Sequence, residues 1–312
     1  MPWTEVNDYR WPDGWTAGND ANQRARQYCE LLERGELIYF KDCPYDLPAA
    51  DREFLLSQKQ SSFKGHKNIS YRPSQDMLRG AAEESPEAAE KLHDVMRRFS
   101  RQVTQFLSKF LAPYAPHWQM DFASYRPLEE QNRDLPLHKR NDLTHVDAFP
   151  TRPTYGGRIL RCFININPQR NRVWEITEPF EVIAKKYADD AGLKKFAADA
   201  KSPTAALRRT FAPIFKAVGV KGMDRTAYDR FMLRFHDYLK ENTDYQQKWP
   251  KQRLEFPPGS VWMVYTDTVP HAVLSGQYAM EQTYIVPLSA MVAPRVAPIR
   301  VLEDMCGTAL GN

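Results

Sequence analysis

The sequence lacks the features that mark secreted, disulfide-rich and membrane-spanning proteins. No apolar run approaches the roughly 20 residues that a membrane span needs. The amino terminus, MPWTEVNDYRWPDGW, is interrupted by acids and prolines and has no apolar core of signal-peptide length. Cysteines are few and scattered, and they match neither a zinc motif nor a disulfide framework: Cys29, Cys43, Cys162 and Cys306. We therefore expect a cytoplasmic protein in a reducing compartment.

Strong charge of either sign is also missing, because 43 Lys and Arg stand against 39 Asp and Glu, a net charge of +4. This balance does not indicate nucleic acid, and we expect no nucleic-acid partner. A mildly basic surface suits acidic sugars or an anionic membrane equally well. Low-complexity tracts, repeats and domain linkers are not found either, so residues 1–312 are expected to fold as a single domain.

Residues before about position 115 carry a mixed pattern that predicts an α/β support for the rest of the chain. GELIYFKD (35–42) reads as a strand, and residues 49–58 read as a short helix. A longer helix is expected to open at Ser85, where a capping serine precedes a proline and an acid and apolar residues then recur at helical spacing. KGHKNISYRP (64–73) reads as a basic loop.

From Met120 onward, short aromatic and β-branched segments separated by Pro, Gly and Asn predict strands. A helical insertion over about 178–248 interrupts them. The predicted strands are MDFASYRP, LTHVDAFP, GRILRCFININP, RVWEIT, VWMVYT, HAVLSG and QYAMEQTYIVPLS. Strands of this number and length predict a closed sandwich or barrel with helices outside it, an α+β protein with a mainly β core.

A histidine and a carboxylate stand two positions apart in LTHVD. Side chains alternate between the faces of a strand, so His145 and Asp147 are expected on the same side. Two histidines and one carboxylate form the facial triad of non-haem iron oxygenases. His271, at the start of HAVLSG, is the candidate for the second histidine, whereas His236 falls within a predicted helix. We predict a metal site at His145, Asp147 and His271, with iron favoured and zinc as the alternative.

A cation stands on a strand that otherwise reads as interior. Arg161, in RILRCFININP, would be costly to bury unless it meets an anion. A guanidinium binds a carboxylate in a two-pronged geometry, so a dicarboxylate that chelates the metal would explain it. Arg126, at the end of MDFASYR, is a second candidate for that pocket, and a structural salt bridge is the alternative for both. Asn165 shares the parity of Arg161 and is expected to add a hydrogen bond.

These features together resemble the iron(II)/2-oxoglutarate-dependent dioxygenases, which are built on a double-stranded β-helix of the jelly-roll or cupin type. Many members carry the 2-oxoglutarate arginine on the strand after the distal histidine, where this sequence has Glu281 and Gln282. The cation must then come from an earlier strand. Three longer phrases resemble the hydroxylases of Kdo (3-deoxy-D-manno-oct-2-ulosonic acid): HKRNDLTHVDAFPTRPTYGGRILRCFININP, KGHKNISYRP and PPGSVWMVYTDTVPHAVLSGQYAMEQTYIVP.

The resemblance implies hydroxylation of carbon 3 of a Kdo residue on a lipid A precursor, a modification of the lipopolysaccharide inner core. It implies Fe(II) on His145, Asp147 and His271, O2 and 2-oxoglutarate as cosubstrates, and the far carboxylate of 2-oxoglutarate on Arg161 with Arg126. Two alternatives stay open. The substrate could be another polar small molecule or a protein side chain, or the protein could be a non-catalytic β-helix that binds an acidic sugar.

Two basic segments are candidates for peripheral contact with an anionic membrane, at the cytoplasmic face of the inner membrane. KGHKNISYRP carries Lys64, Lys67 and Arg72. ALRRTFAPIFKAVGVKG (206–222) interleaves cations with apolar residues, as an interfacial helix does, and the cations are Arg208, Arg209, Lys216 and Lys221. Packing of the insertion against the barrel is the alternative.

Overall fold

The computed structural model describes residues 3–15, 20–61, 68–82, 85–202 and 225–311. The helices in these ranges are α1 Ala21–Glu33, α2 Ala49–Ser57, α3 Pro86–Phe110, α4 Phe180–Tyr187, α5 Leu193–Ala200, α6 Ala227–Glu241, α7 Thr243–Lys248 and α8 Pro298–Cys306. The strands are β1 Trp3–Glu5, β2 Tyr9–Arg10, β3 Gly14–Trp15, β4 Leu37–Phe40, β5 Ile69–Arg72, β6 Met77–Arg79, β7 Gln119–Arg126, β8 Arg158–Asn165, β9 Arg172–Ile176, β10 Gln252–Phe256, β11 Val261–Tyr265, β12 His271–Ser275 and β13 Ala279–Val286.

Two sheets pack face to face and form the jelly roll that the sequence predicts. The large sheet has the strand order β1-β4-β11-β8-β13-β7-β5-β6, and the small sheet has the order β10-β9-β12. Aromatic side chains of both sheets fill the space between them: Phe163 and Trp262 of the large sheet stack at 5.2 Å, and Trp174 of the small sheet meets Trp262 edge-on at 5.6 Å. The polar site described below adjoins this aromatic layer, since Phe163 and Trp174 also line its cavity.

The outer face of the large sheet is covered by α1, α2 and α3. The Ser85 hydroxyl accepts a hydrogen bond from Ala88 N at 3.3 Å and caps α3, as the sequence predicts. The apolar stripe of this helix is buried and consists of Leu92, Met96, Phe99, Val103, Phe106 and Phe110. This packing holds one sheet rigid beneath the site.

The helical insertion packs on the opposite side, where α4, α5 and α6 share an apolar cluster with α8. A capping box starts α6, because the Thr226 hydroxyl accepts from Asp229 N and the Asp229 carboxylate accepts from Thr226 N. Asp229 also accepts from Thr154 N at 2.8 Å and Tyr155 N at 3.2 Å. The insertion is thereby tied to the loop that follows Asp147.

Three local predictions are corrected by the structure. LTHVDAFP is not a regular strand: His145 forms one isolated bridge, with His271. KGHKNISYRP is not wholly a loop, since its second half is strand β5, which pairs with β7. Strand β10 and helix α8 are missed by the sequence patterns. The division into a support of about 1–115 and an insertion of about 178–248 within one domain stays a prediction.

Among the described residues, no helix is long and apolar enough to cross a membrane. The basic segment 206–222 and two lysines of the other basic segment, Lys64 and Lys67, lie outside the described ranges. Of the residues proposed for membrane contact, the structure therefore places only Arg72.

Candidate active site

The structure brings the three predicted metal ligands together at one end of the space between the sheets. The bridge between His145 and His271 sets them side by side: each backbone N donates to the other's carbonyl, at 3.1 and 2.9 Å. Asp147 N donates to Thr266 O at 2.8 Å and continues the extended run. One ligand atom from each of the three residues lies within 4.8 Å of the other two. This spacing is close enough for one metal ion.

Hydrogen bonds to backbone carbonyls orient both imidazoles for metal binding. His145 Nδ1 donates to Leu143 O at 2.7 Å, and His271 Nδ1 donates to Val269 O at 2.9 Å. Because a carbonyl only accepts, Nδ1 carries the proton and Nε2 keeps its lone pair for a metal. Burial lowers the pKa of His145 well below its usual value and also lowers the pKa of His271. Both rings are thus held neutral, the form that coordinates a metal.

Arg161 fixes the carboxylate ligand. Its Nη2 lies 3.1 Å from Asp147 Oδ2, while Asp147 Oδ1 lies 3.7 Å from His145 Nε2. Burial alone would raise the pKa of Asp147, but Arg161 and the two histidines hold it far below its usual range. The carboxylate is therefore ionised and presents one oxygen to the metal position while the guanidinium holds the other.

The anion that Arg161 requires is supplied by the chain itself. Besides Asp147, Arg161 meets Glu281, whose Oε1 accepts from Nη1 at 3.2 Å. Glu281 is also bound by Arg126, with Nη2 3.0 Å from both carboxylate oxygens. Burial opposes ionisation of Glu281, yet Arg126 and Arg161 lower its pKa below the usual value. The sequence-based expectation that Arg161 awaits an external dicarboxylate is therefore incomplete.

A further arginine, which the sequence reasoning missed, lines the same cavity and is almost fully buried. Arg172 of β9 is 1% exposed and its Nη1 donates to Gly276 O at 3.1 Å, while its Nε has no hydrogen-bond partner among the described residues. Its nearest carboxylate is Glu130, 3.7 Å from Nη2. Burial lowers the pKa of Arg172 to about 10, with Glu130 acting in the opposite direction. This guanidinium is only partly compensated, and an added anion would stabilise it.

The signal for Arg172 was present in the sequence. Side chains of the strand RVWEI alternate between its two faces, so Arg172 lies on the same face as Trp174. A charged residue on the apolar face of a buried strand indicates a polar site. Trp174 stacks on the His271 ring at 5.0 Å, and both line the cavity with Phe163 and Val273. The cavity is therefore lined by apolar side chains beside the predicted metal ligands and by arginines elsewhere.

Asn165 does not belong to this cavity. Its Nδ2 donates to Arg170 O and Phe256 O, both at 2.9 Å, and its Oδ1 accepts from Asn167 N at 3.0 Å. The amide hydrogen-bonds within the turn that follows β8 and to Phe256, and these contacts do not favour the expectation that it binds a cosubstrate, which stays a prediction. His236 of α6 lies near the predicted metal site, with its ring 5.0 Å from that of His145. Its Nδ1 forms a hydrogen bond with Asp237, and its ring nitrogens do not lie close to all three predicted ligands.

Comparison with known proteins identifies the family of the chain's sequence and several solved structures that are similar to it. A model of the 3-deoxy-D-manno-oct-2-ulosonic acid (Kdo) hydroxylase family matches residues 15–309. The crystal structure of KdoO, described as a Kdo hydroxylase and a non-heme Fe(II) alphaketoglutarate-dependent dioxygenase, in complex with cobalt(II) is 29% identical over 100% of this chain and 98% of that chain, with a TM-score of 0.82. KdoO with alphaketoglutarate and Fe(III) is 29% identical over 99% and 97% of the two chains, with a TM-score of 0.81. KdoO with succinate and Fe(III) is 29% identical over 100% and 98%, also with a TM-score of 0.81. Among curated protein sequences, none matches the chain.

Proposed function

Because the chain belongs to the Kdo hydroxylase family, we propose that it hydroxylates carbon 3 of a Kdo residue carried on a lipid A precursor. It is an Fe(II)/2-oxoglutarate-dependent dioxygenase. The observation that carries the proposal is the geometry of the site. Two neutral imidazoles, each with an unprotonated Nε2, and one ionised carboxylate lie close together and line a cavity that arginines also line.

His145, Asp147 and His271 would hold the iron, since two histidines with one carboxylate are the ligand set of the non-haem iron oxygenases. Iron, 2-oxoglutarate and O2 together supply the oxidising power, since one oxygen atom enters the sugar C–H bond and the other converts 2-oxoglutarate to succinate and CO2. The protein's part is to orient its ligands and to exclude water. Trp174, Phe163 and Val273 form the apolar wall that does so.

The charge of the cavity suits a metal ion together with a dianion. Three arginines and two carboxylates line it, which leaves one positive charge: Arg126, Arg161 and Arg172 against Asp147 and Glu281. Fe(II) raises that charge by two, and 2-oxoglutarate, with two carboxylates, cancels the increase. Metal and cosubstrate therefore stabilise each other in this cavity.

The arginine that binds the far carboxylate of 2-oxoglutarate is assigned differently from the sequence-based expectation. Arg161 already pairs with Asp147 and Glu281, so we give it the role of positioning the carboxylate ligand. Arg172, buried and short of anions, is the better partner for the cosubstrate, with Arg126 beside it in the cavity lining. A two-pronged guanidinium–carboxylate contact supplies both affinity and orientation.

The substrate class also suggests where the protein works. Kdo is made part of an anionic lipid at the cytoplasmic face of the inner membrane, so we propose that the protein is cytoplasmic and meets its substrate by peripheral contact there. The mildly basic composition supports this, because each surface cation near an anionic leaflet contributes about 1 kcal/mol.

The experiment that tests the function is mass spectrometry of Kdo-lipid A incubated in air with the protein, Fe(II) and 2-oxoglutarate. The expected product has gained one oxygen, and succinate forms in equal amount. Succinate formation that other polar compounds stimulate, with Kdo-lipid A left unchanged, would assign the chain another substrate. Binding of Kdo-lipid A without any succinate would make it a non-catalytic binder.

A further inference from the structure

Two arginines that the proposed mechanism does not use lie beside the metal site. The guanidinium carbons of Arg72 and Arg152 lie 4.7 and 4.1 Å from the centre of the Phe122 ring. Arg152 also lies 4.3 Å from the centre of the Phe149 ring, and Arg161 approaches that same ring at 5.6 Å. A single aromatic ring therefore separates Arg152 from the arginine that holds the metal ligand Asp147.

The register of the large sheet places Arg72 on the metal-site face. Ser70, Ser124 and Glu281 lie opposite one another across β5, β7 and β13, so they share the face on which Glu281 lines the cavity. Arg72 follows Ser70 by two positions and points to that face as well. Arg79 of β6 pairs with Ser70 and adds a third cation there. Strands β5 and β6 thus extend the large sheet, and Arg72 and Arg79 continue the positive charge of this face away from the predicted metal site.

The positive charge of this extension is poorly compensated among the described residues. Arg152 has Asp121, with Nε 3.0 Å from Oδ2. Arg72 makes no ion pair with a described residue, and its buried Nε has no hydrogen-bond partner. Burial lowers the pKa of Arg72 and Arg79 lowers it further, while Asp121, which also pairs with Arg152, acts the other way. Burial also lowers the pKa of Arg152, although Asp121 acts the other way. Crowded, partly buried cations of this kind are costly unless an anion completes the site.

We propose that Arg72 and Arg152 bind the carboxylate of the sugar acid whose ring is hydroxylated, and so position that ring at the metal. The inference rests on the proposed function and deepens it. In a 3-deoxy-oct-2-ulosonic acid the carboxylate is carbon 1 and the reactive carbon is carbon 3, two bonds away. Anchoring the carboxylate therefore fixes the carbon that must face the iron. Guanidinium groups match a carboxylate in two-pronged geometry, and the contacts with Phe122 and Phe149 hold the two guanidinium groups in position.

The test is equilibrium binding without O2, so that no turnover occurs. The protein, loaded with Fe(II) and 2-oxoglutarate, is titrated with the methyl glycoside of Kdo and with the same glycoside as its carboxylate methyl ester. Wild type is expected to prefer the free acid. Arg72→Gln and Arg152→Gln are each expected to weaken binding of the acid about tenfold to a hundredfold and leave the ester unchanged, because a charge-assisted hydrogen bond is lost.

Matched variants separate recognition from damage to the fold. Arg253→Gln removes an exposed arginine that pairs with Glu255 on β10, and it is expected to keep the full preference for the acid. Arg152→Lys retains the charge and is expected to retain part of the preference. The Fe(II)–2-oxoglutarate absorption band should form normally in every variant, since none of these residues lines the cosubstrate cavity.

Each result decides the inference separately from the function. If Arg72→Gln and Arg152→Gln keep the full preference for the acid, the inference is overturned. Equal binding of acid and ester by a wild-type protein that hydroxylates Kdo-lipid A also overturns it. A preference that appears only with a Kdo disaccharide would assign the arginines to a neighbouring sugar and also overturn it. Acid-specific binding that depends on the two arginines, in a protein that oxidises no Kdo compound, upholds the inference while the proposed function fails.

Discussion

At the scale of single residues, metal ligands and their near neighbours are expected to behave differently. His145→Ala, Asp147→Ala and His271→Ala should each abolish iron binding and activity with the fold retained, because each removes one of three ligands. His236→Ala is the matched control, since its ring lies 5.0 Å from that of His145 yet it belongs outside the ligand set. Iron content and thermal stability of the four variants check this. Iron lost from His236→Ala and kept in His271→Ala would show that the triad is wrongly chosen.

Two arginines of the cavity are assigned separate roles, which paired titrations can distinguish. Arg161→Gln takes a partner from both Asp147 and Glu281, so it should weaken iron binding and cost about 3–5 kcal/mol of stability. Arg172→Gln should mainly raise the concentration of 2-oxoglutarate required, because this guanidinium has the weaker internal compensation. The assignment is reversed if Arg161→Gln shifts only the 2-oxoglutarate titration and Arg172→Gln only the iron titration.

Gly276 packs against Arg172 and allows a test of the role of this arginine that changes no charged residue. Gly276 has φ +124°, and an added Cβ would lie 2.8 Å from Arg172 Cγ and 3.0 Å from its Cα. Gly276→Ala should displace Arg172 and weaken 2-oxoglutarate binding. Gly259→Ala, at φ +82° with nothing within 4 Å of the added Cβ, carries backbone strain of about 1–3 kcal/mol without that contact. Equal 2-oxoglutarate affinity in the two variants would contradict the role given to Arg172.

At the scale of elements, the cap of α6 also holds the loop after Asp147. Asp229→Ala removes the capping-box carboxylate and leaves Thr154 N and Tyr155 N without their acceptor, so a loss of about 2–3 kcal/mol is expected. Ser85→Ala removes only a cap, from α3, and should cost about 1 kcal/mol. Urea unfolding measures both. Equal losses would mean that the two loop hydrogen bonds add nothing.

Elements with a strong hydrophobic periodicity were predictable from the sequence. Elements that depend on pairing with a strand distant in the sequence were not. α3 shows its cap and its stripe, and β8 and β13 show eight-residue segments of mostly apolar, aromatic and β-branched residues between turn residues. β5 alternates apolar and polar residues over only four positions, which is a weak signal, and its pairing with β7, some fifty residues further along the chain, cannot be read from the sequence. His145 sits in an extended run with one bridge, so alternation placed its side chain correctly although no regular strand forms.

At the scale of the whole molecule, the proximity of the three proposed ligands could be predicted from the sequence, whereas the charge network around them could not. His145, Asp147 and His271 were chosen by residue type and by the expected alternation of side chains, and the structure brings them together. The partners of Arg161 require knowing that β8 and β13 are neighbours, which sets Glu281 within reach. An arginine on an interior strand signals a needed anion, but the sequence does not say whether that anion is a ligand or another side chain.

The central claim is oxidation of carbon 3 of Kdo at the iron held by His145, Asp147 and His271. It is tested most directly with Kdo-lipid A that carries two deuterium atoms on carbon 3, incubated with Fe(II), 2-oxoglutarate and O2 and followed by mass spectrometry. The product is expected to gain one oxygen and lose one deuterium in step with succinate formation, and the Asp147→Ala variant is expected to yield none. A product that gains oxygen with both deuterium atoms retained would contradict the account.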